Sequence, residues 1–563
     1  MEWTAETYRE YGLRPSVDPI PIPSGPRDVA SALEAAASLR PDVEALVGRH
    51  TRLTFGEFDQ AVNAAVGFLW QLGLRPGDRV AASAGNHPEI VLAFFAAMRL
   101  GAIWVGINRR LAPAEKHFLL RDSEARFLLA EDEVLLELAA SRAELGLNAA
   151  ISLDPSDPRS SWRQGLATHA AGPRPDVRID PWAPAAIAYT SGTTGLPKGA
   201  VHSQHNMLLV PAVLQAGIDP GALAARRIGT SMPLTILNLM ILGPVAAVRA
   251  ACPHVCMDRI DVVGLADWIG REQITMTNCT PTTAYDLMTR PDIRPEDLST
   301  LKQLSVGGAM VPQELPALYL DRFGRLPRLV YGLTEAPTGV ADSELAASRG
   351  QGVIGTPLAQ FEIEILDDEG AVVEAGVSGE ICLRAARSGP FAGIYQPTLG
   401  YWRNREATDR LLTGGWLHTG DIGFKSADGI LHIQDRRSDV IIRGGSNIYP
   451  AEVERVLRMD DRVADCAVLG MPDERLGQVV VAFVEPILAA RRDETLVPQL
   501  EGLCRDNLAG YKQPVDWHVI DEMPRNALGK IIKPRLKEWL QGVPPVSERR
   551  RIDVPAVSGS ALD

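Results

Sequence analysis

Tyr189-Thr190-Ser191-Gly192-Thr193-Thr194-Gly195-Leu196-Pro197-Lys198-Gly199-Ala200 packs hydroxyls, glycines and one lysine into a single turn. Such a turn suits phosphate. Gly192, Gly195 and Gly199 let backbone amides approach an anion, the hydroxyls of Thr190, Ser191, Thr193 and Thr194 donate hydrogen bonds, and Lys198 adds a mobile point charge. The apolar run 185–188 reads as a buried strand entering the turn. From 202 to 214 the spacing of Met207, Leu208, Pro211 and Leu214 is helical after a cap at Ser203, so the turn is expected to join a strand to a helix. A Walker loop needs Gly-Lys followed directly by Ser or Thr. Here Pro197 precedes Lys198 and Gly199 follows it, so the P-loop fold is not implied. A plain Ser/Thr/Gly linker is the competing reading.

The flanking chain has the rhythm of α/β units. Thr54-Phe55-Gly56-Glu57 is a capping box that opens an amphipathic helix through Phe58, Val62, Ala65, Phe68 and Leu69, ending before Gly73. Residues 79–84 read as a strand, 88–100 as a buried helix stopped by Gly101, and 103–107 as the next strand, which implies parallel pairing. Strands at 127–130, 274–279, 304–306 and 329–331, with a helix at 262–271, continue the pattern. From about 358 to 435 the texture changes to short strands (361–366, 379–384, 429–433) broken by glycines and acidic turns, a β-rich subdomain. Residues 436–542 read as a small α+β domain with helices at 451–457 and 496–508 and strands at 464–469, 479–484 and 515–520. The segment 543–563, rich in Pro, Ser, Arg and Asp, is expected to be a flexible tail.

At 563 residues the chain exceeds one ordinary core, and 46% hydrophobic with 23% charged residues is the balance of a soluble globular protein. A net charge of −13 argues against nucleic acid held on a broad basic face, while leaving room for local phosphate pockets. Six scattered cysteines do not form a disulfide framework, which points to a reducing compartment. Cys252-Pro253-His254-Val255-Cys256 lacks a second ligand pair at zinc-like spacing, so buried cysteines are the better reading. With no basic-then-apolar leader and no run of membrane-spanning length, the expected location is the cytoplasm.

Four further stretches turn a phosphate loop into a specific case: Tyr331-Gly332-Leu333-Thr334-Glu335, Trp416-Leu417-His418-Thr419-Gly420-Asp421, residues 436–450, and Pro524-Arg525-Asn526-Ala527-Leu528-Gly529-Lys530. In this order, from about Leu53 to Lys533, the chain resembles the adenylate-forming superfamily of acyl-CoA synthetases, carrier-loading adenylation domains and beetle luciferases. The resemblance implies an α/β fold: a large N-terminal domain, 1–435, with stacked α/β sheets, and a small mobile α+β C-terminal domain, 436–542. It also implies a chemistry. A carboxylate has no good leaving group, so its oxygen attacks the α-phosphate of ATP, pyrophosphate departs, and an acyl-adenylate remains. Positioning and charge neutralisation dominate such a transfer.

By resemblance, the loop of Thr190, Ser191, Gly192, Thr193, Thr194 and Lys198 wraps the β- and γ-phosphates, Thr334 bonds the α-phosphate, and Glu335 holds Mg²⁺, a hard cation suited to carboxylate oxygens. Gly307, Gly308 and Ala309 line the adenine pocket, with Tyr331 and Gly332 beside it. Asp421 receives the ribose hydroxyls and Arg436 contacts ribose or phosphate. Lys530 is matched to the mobile lysine that bridges acid and α-phosphate; for a second step the small domain rotates about a hinge at Ser438, and Arg443, Gly444 and Gly445 line the CoA tunnel. Ser438 departs from the Asp or Lys usual there, leaving the pivot open.

By the same resemblance, Asn238, Thr280, Thr338 and Gly339 are expected to line the acid pocket; no Lys or Arg among them awaits a second carboxylate, which favours a hydrophobic monocarboxylate, fatty or aromatic. Many relatives carry an aromatic-His pair after Pro-Leu, but Pro233-Leu234 is followed here by Thr235-Ile236. The run 237–242 reads by default as helix core, and His202 and His205 as surface residues at a helix start. The expected enzyme is an AMP-forming acid–thiol ligase using ATP, Mg²⁺ and CoA on a small carboxylic acid, without nucleic acid or a membrane span, with homodimerisation open. A stand-alone enzyme loading a carrier protein and a non-catalytic nucleotide-binding regulator are the alternatives.

Overall fold

The computed structural model describes residues 3–541 apart from 171, 173–174, 191–196, 260, 309–310, 312–313, 344–351, 437–438, 444–445, 474–475, 509, 526–528 and 530. Packing divides the chain into two compact units. The first takes Met1–Glu364, Cys382–Thr419 and Ser426–Leu431; the second takes Ile365–Ile381, Gly420–Lys425 and His432–Asp563. The architecture is mixed α/β, as the β-α rhythm predicts.

In the first unit a seven-stranded sheet has the order Gly400–Tyr401, Lys198–Ser203, Pro184–Thr190, Ile103–Gly106, Arg79–Ser83, Phe127–Ala130, Ala149–Ser152. From Pro184–Thr190 to Ala149–Ser152 neighbouring strands are parallel. Parallel strands are covered on both faces, and Arg79–Ser83 is buried along its whole length. The helix Pro88–Arg99 that follows it is buried at every position; Pro88 starts it, and Gly101, at φ 63°, lets the chain turn out of it. Burying Arg99 costs desolvation unless its charge is met. Its guanidinium is held by the Asp59 carboxylate and by Asn63 Oδ1 at 2.8 Å. The helix Phe55–Gln71 opens with the predicted capping box: Thr54 Oγ1 accepts from Glu57 N at 3.2 Å and Glu57 Oε2 accepts from Thr54 N at 2.8 Å.

A second run of strands in this unit has the order Val353–Pro357, Thr338–Ser343, Arg328–Leu333, Gln303–Gly307, Met276–Cys279, Ile228–Thr230, His254–Cys256, Glu44–Val47, Arg52–Thr54. From Arg328–Leu333 to Glu44–Val47 every pairing is parallel, so the C-terminal ends of these strands share one edge. Helices Val262–Glu272, Pro281–Thr289 and Leu315–Phe323 cover the sheet through Leu265, Trp268, Ile269, Leu287, Leu315 and Tyr319. The stretch read as β-rich supplies strands Phe361–Leu366, Gly379–Ala385, Leu417–Lys425 and Leu431–Arg436, each cut by the boundary between the units.

The second unit carries a five-stranded sheet made of Ser446–Ile448, Ile441–Arg443, Gly477–Pro486, Val463–Asp473 and Asp516–Val519. Its central strand alternates. Val480, Ala482 and Val484 pack with helices Pro450–Leu457 and Leu496–Asn507, while Val481 and Phe483 pack with Leu536 and Leu540 of helix Lys533–Gln541. All six cysteines are buried thiols outside any disulfide. No described helix is long and apolar enough to cross a membrane.

Candidate active site

The glycine-rich turn joins two strands, not a strand and a helix. Pro184–Thr190 pairs antiparallel with Lys198–Ser203, bringing Thr190 opposite Lys198, and the helix Gln204–Gln215 starts only afterwards, capped by Ser203 as expected. The extra strand exists because it is hydrogen-bonded on both sides, to 184–190 and to Gly400–Tyr401. Gly199 lies within it, where a Cβ would come 2.5 Å from Ile187 Cγ2, so packing also requires glycine there. Ser191, Gly192, Thr193 and Thr194 lie outside the described residues.

Lys198 Nζ stands 5.6 Å from the centre of the Tyr401 ring, and the Tyr401 hydroxyl donates to Glu335 Oε1 at 2.6 Å. Tyr401 thus links the loop lysine to the glutamate expected at the metal, two groups far apart in sequence. Glu335 is half-buried, and its charge adds to the burial that raises the Tyr395 phenol. Neither tyrosine belongs to a motif; Tyr401 is found only because its strand pairs with 198–203.

Thr334 and Glu335 follow strand Arg328–Leu333, whose end carries Tyr331 and Gly332; the chain then turns into Thr338–Ser343, which pairs back antiparallel. The approach is so close at Gly332 that a Cβ would lie 2.1 Å from the Thr338 carbonyl oxygen. Thr338 is held at φ 91°, a left-handed conformation costly for a β-branched residue, and its buried Oγ1 has no hydrogen-bond partner among the described residues. Strain of this kind is concentrated where function over-determines the backbone.

His202 and His205 are not surface residues: both are buried. His202 lies in the strand, and its Nε2 donates to the Thr334 carbonyl at 2.7 Å, fixing the threonine–glutamate turn from below. Burial, opposed by that hydrogen bond, holds the imidazole down to about 4, so the ring is neutral near pH 7. His205 Nε2 donates to the Ile394 carbonyl at 2.9 Å.

The shared edge gathers Gly307, Gly308 and Thr280. Gly307 ends strand Gln303–Gly307 and Gly308 follows it, and a Cβ at Gly307 would lie 2.5 Å from the Val330 carbonyl oxygen of the neighbouring strand. Thr280 follows Met276–Cys279 and caps helix Pro281–Thr289, its Oγ1 accepting from Thr283 N at 3.3 Å. Asn238 sits in helix Leu237–Met240, which runs into a π-turn, Ile241–Val245; wider π-turns are enriched at functional sites. Leu237, Leu239, Met240 and Ile241 are core as expected, whereas Asn238 Oδ1 is buried with no partner among the described residues. Ala309 lies outside the described residues.

In the second unit, Asp421 is buried in strand Leu417–Lys425, and the N–H of the preceding Gly420 donates to Glu380 Oε1 at 2.9 Å. Arg436 ends strand Leu431–Arg436. Arg443, expected at a CoA tunnel, donates to the Tyr511 carbonyl at 2.7 Å. The segment 524–530 is tied at its base: Ile532 N donates to the Pro524 carbonyl at 2.7 Å, and Arg525 meets Asp465 Oδ2 at 2.8 Å and Glu485 Oε2 at 3.2 Å. Ser438, Gly444, Gly445 and Lys530 lie outside the described residues.

Parallel strands that end together place these glycines and the threonine–glutamate turn beyond the carboxyl ends of the strands, where ligands of such α/β sheets collect. The chain belongs to the family of AMP-binding enzymes: residues 33–395 match the AMP-binding enzyme domain, and residues 452–530 match the AMP-binding enzyme C-terminal domain. It is an adenylate-forming enzyme of the acid–thiol ligase class. Over 517 residues it is 32% identical to an indoleacetate–CoA ligase of Aromatoleum aromaticum, covering 91% of this chain and 98% of that one. Over 530 residues it is 30% identical to the long-chain-fatty-acid–CoA ligase FadD13 of Mycobacterium tuberculosis, covering 92% and 100%. Its fold is similar to the crystal structure of the anthranilate CoA ligase AuaEII in complex with anthranoyl-AMP, with a TM-score of 0.80, 26% identity, and coverage of 92% of this chain and 98% of that one.

Proposed function

We propose that this enzyme joins a hydrophobic monocarboxylic acid, aromatic or fatty, to CoA through an acyl-adenylate. The observation that carries the proposal is the contact chain Lys198–Tyr401–Glu335 at the edge where Gly307 ends its strand and Gly308 and Thr334 follow theirs. It ties a cation and a carboxylate to one tyrosine, and Mg–ATP calls for both. Glu335 suits Mg²⁺ chemically: one oxygen is oriented by the tyrosine hydroxyl, and Mg²⁺ is ordinarily held by one or two carboxylates together with the phosphates it accompanies. When bound with ATP, the ion neutralises charge on the phosphate oxygens.

In this reading Thr190, Ser191, Gly192, Thr193, Thr194 and Lys198 hold the β- and γ-phosphates, and Thr334 donates to the α-phosphate. Asp421 and Arg436 receive the ribose. Lys530 brings its charge to the acid and the α-phosphate while the carboxylate oxygen attacks and pyrophosphate leaves. The small domain then turns about Ser438, and the CoA thiol, guided past Arg443, Gly444 and Gly445, attacks the acyl carbon and expels AMP. A free thiol has a pKa of about 8.5, so a few per cent is thiolate at neutral pH, enough for a reactive anhydride. Asn238, Thr280, Thr338 and Gly339 border the acid, and none carries a charge to meet a second carboxylate. Relatives named for indoleacetate and long-chain fatty acids support an apolar acid. A cytoplasmic location is part of the proposal, in keeping with six buried thiols.

The test is a panel of indole-3-acetate, anthranilate, benzoate, octanoate and palmitate, assayed for pyrophosphate, AMP and acyl-CoA with and without CoA. Acid-dependent pyrophosphate release with CoA thioester formation is expected. Pyrophosphate release without thioester would redirect the acceptor to a carrier protein, and no acid-dependent release would sink the proposal.

A further inference from the structure

Asn86 follows strand Arg79–Ser83 of the seven-stranded sheet, but its side chain serves the other run of strands. Its Nδ2 donates to the carbonyls of Thr230 at 3.0 Å and Met232 at 2.8 Å, and its Oδ1 accepts from Leu234 N at 2.9 Å. Asn86 is buried, so both donors and the acceptor are committed to one five-residue path, 230–234. No other side chain offers two donors and one acceptor at this length; Asp lacks the donors and Gln is longer by a methylene.

The turn that presents Asn86 is itself anchored. The His87 ring lies between Glu89 Oε2 at 3.1 Å and Glu131 Oε1 at 3.4 Å, and Glu131 Oε1 also accepts from Gly85 N at 2.9 Å. Arg163 meets Glu89 at 3.0 Å and Arg109 meets Glu131 at 2.8 Å. Beyond the clamped path, the Thr235 carbonyl presses on Gly106, where a Cβ would lie 1.9 Å from the oxygen. The path therefore has no freedom on this side. It delivers Thr235 Oγ1 and Asn238 Oδ1, two buried polar atoms without partners among the described residues. Each such atom calls for a partner, and a ligand seated against this wall would supply one.

We propose that Asn86 is a positioning residue for acid binding, setting the wall 235–238 that the acid contacts; this rests on the acid-pocket reading above. The acid's KM then depends on Asn86, whereas ATP, held at 198, 307–308 and 334–335, does not feel it. Asn86→Asp removes both donors and sets a carboxylate oxygen against the Thr230 and Met232 carbonyls, the first of which keeps only its bond from Met257 N, so the KM for the best acid of the panel is expected to rise about tenfold or more, with the KM for ATP within about twofold. Asn86→Ser keeps one donor and is the milder variant should the first fold poorly; it is expected to show the same split at smaller amplitude. Equal movement of both KM values, or no movement of either, overturns the positioning role while acid-dependent pyrophosphate release by the unmodified enzyme still stands. A wild-type enzyme without such release overturns the function proposal and this inference together.

Discussion

The imidazole of His202 donates to the carbonyl of Thr334 across 2.7 Å, tying the strand after the glycine-rich turn to the threonine–glutamate turn. Because burial depresses His202 from 6.5 to about 4, the unfolded chain binds more protons than the folded one between those values. Stability should therefore be full above about pH 6.5 and fall as the pH drops towards 4, with His254, held down to about 3 by burial, adding to the loss. His202→Leu should reduce the slope of Tm against pH over pH 4.5–6.5 and lower the adenylation rate about tenfold by leaving the Thr334 carbonyl without its donor. A slope equal to that of the wild type would remove His202 as a source of acid sensitivity.

Tyr401→Phe keeps the ring packed under Lys198 and removes only the hydroxyl that donates to Glu335. Charge-assisted hydrogen bonds are about twice as strong as neutral ones, so the Mg²⁺ concentration for half-maximal pyrophosphate release should rise severalfold, about fivefold or more, at unchanged Tm. Titrating Mg²⁺ at fixed ATP checks this. Coincident curves for the two proteins would mean that the tyrosine does not orient the carboxylate.

What the sequence made legible was local. The Thr54–Glu57 capping box, the 88–100 helix with its glycine stop and the apolar strand 479–484 are written in neighbouring residues, and each is found within a residue or two of its expected bounds. The strand Lys198–Ser203 was hidden because its partners, 184–190 and 400–401, are supplied by the tertiary fold. The same blindness put His202 at the surface: polar character before a helix looks exposed until a strand buries it. Tyr401 and Asn86 carry no motif, since what each does is created by a contact with distant chain. A linear reading likewise cannot show that 365–381 and 420–425 pack with the second unit.

Gly332→Ala tests the tight hairpin beside the site. The new Cβ would begin 2.1 Å from the Thr338 carbonyl oxygen, backbone that cannot swing aside as a flexible side chain would. Since a displacement of about 1 Å can cost roughly a hundredfold in rate, adenylation should fall by about that factor, with a Tm loss of a few degrees, about 2–4 °C per kcal/mol. Gly502→Ala is the matched control. It lies in helix Leu496–Asn507 with nothing within 4 Å of its Cβ position, so it should leave activity unchanged and hold or raise Tm. Activity of Gly332→Ala within about threefold of wild type would show that the hairpin does not shape the site, since losses below that factor amount to well under 1 kcal/mol of barrier.

Lys530→Ala separates the two half-reactions. A lysine that neutralises charge between acid and α-phosphate has work only while that bond forms; once the adenylate exists, thiol attack on the acyl carbon needs neither the lysine nor the pose that presents it. Pyrophosphate release from ATP and acid should therefore fall by about a thousandfold, while thioester formation from purified acyl-adenylate and CoA should change by less than about tenfold. The anchored base of the segment, with Arg525 paired to Asp465 and Glu485 and Ile532 bonded to Pro524, predicts that the substitution leaves the small domain folded, so Tm serves as the control. Equal losses in both half-reactions would strip Lys530 of its adenylation role and assign it to a step common to both.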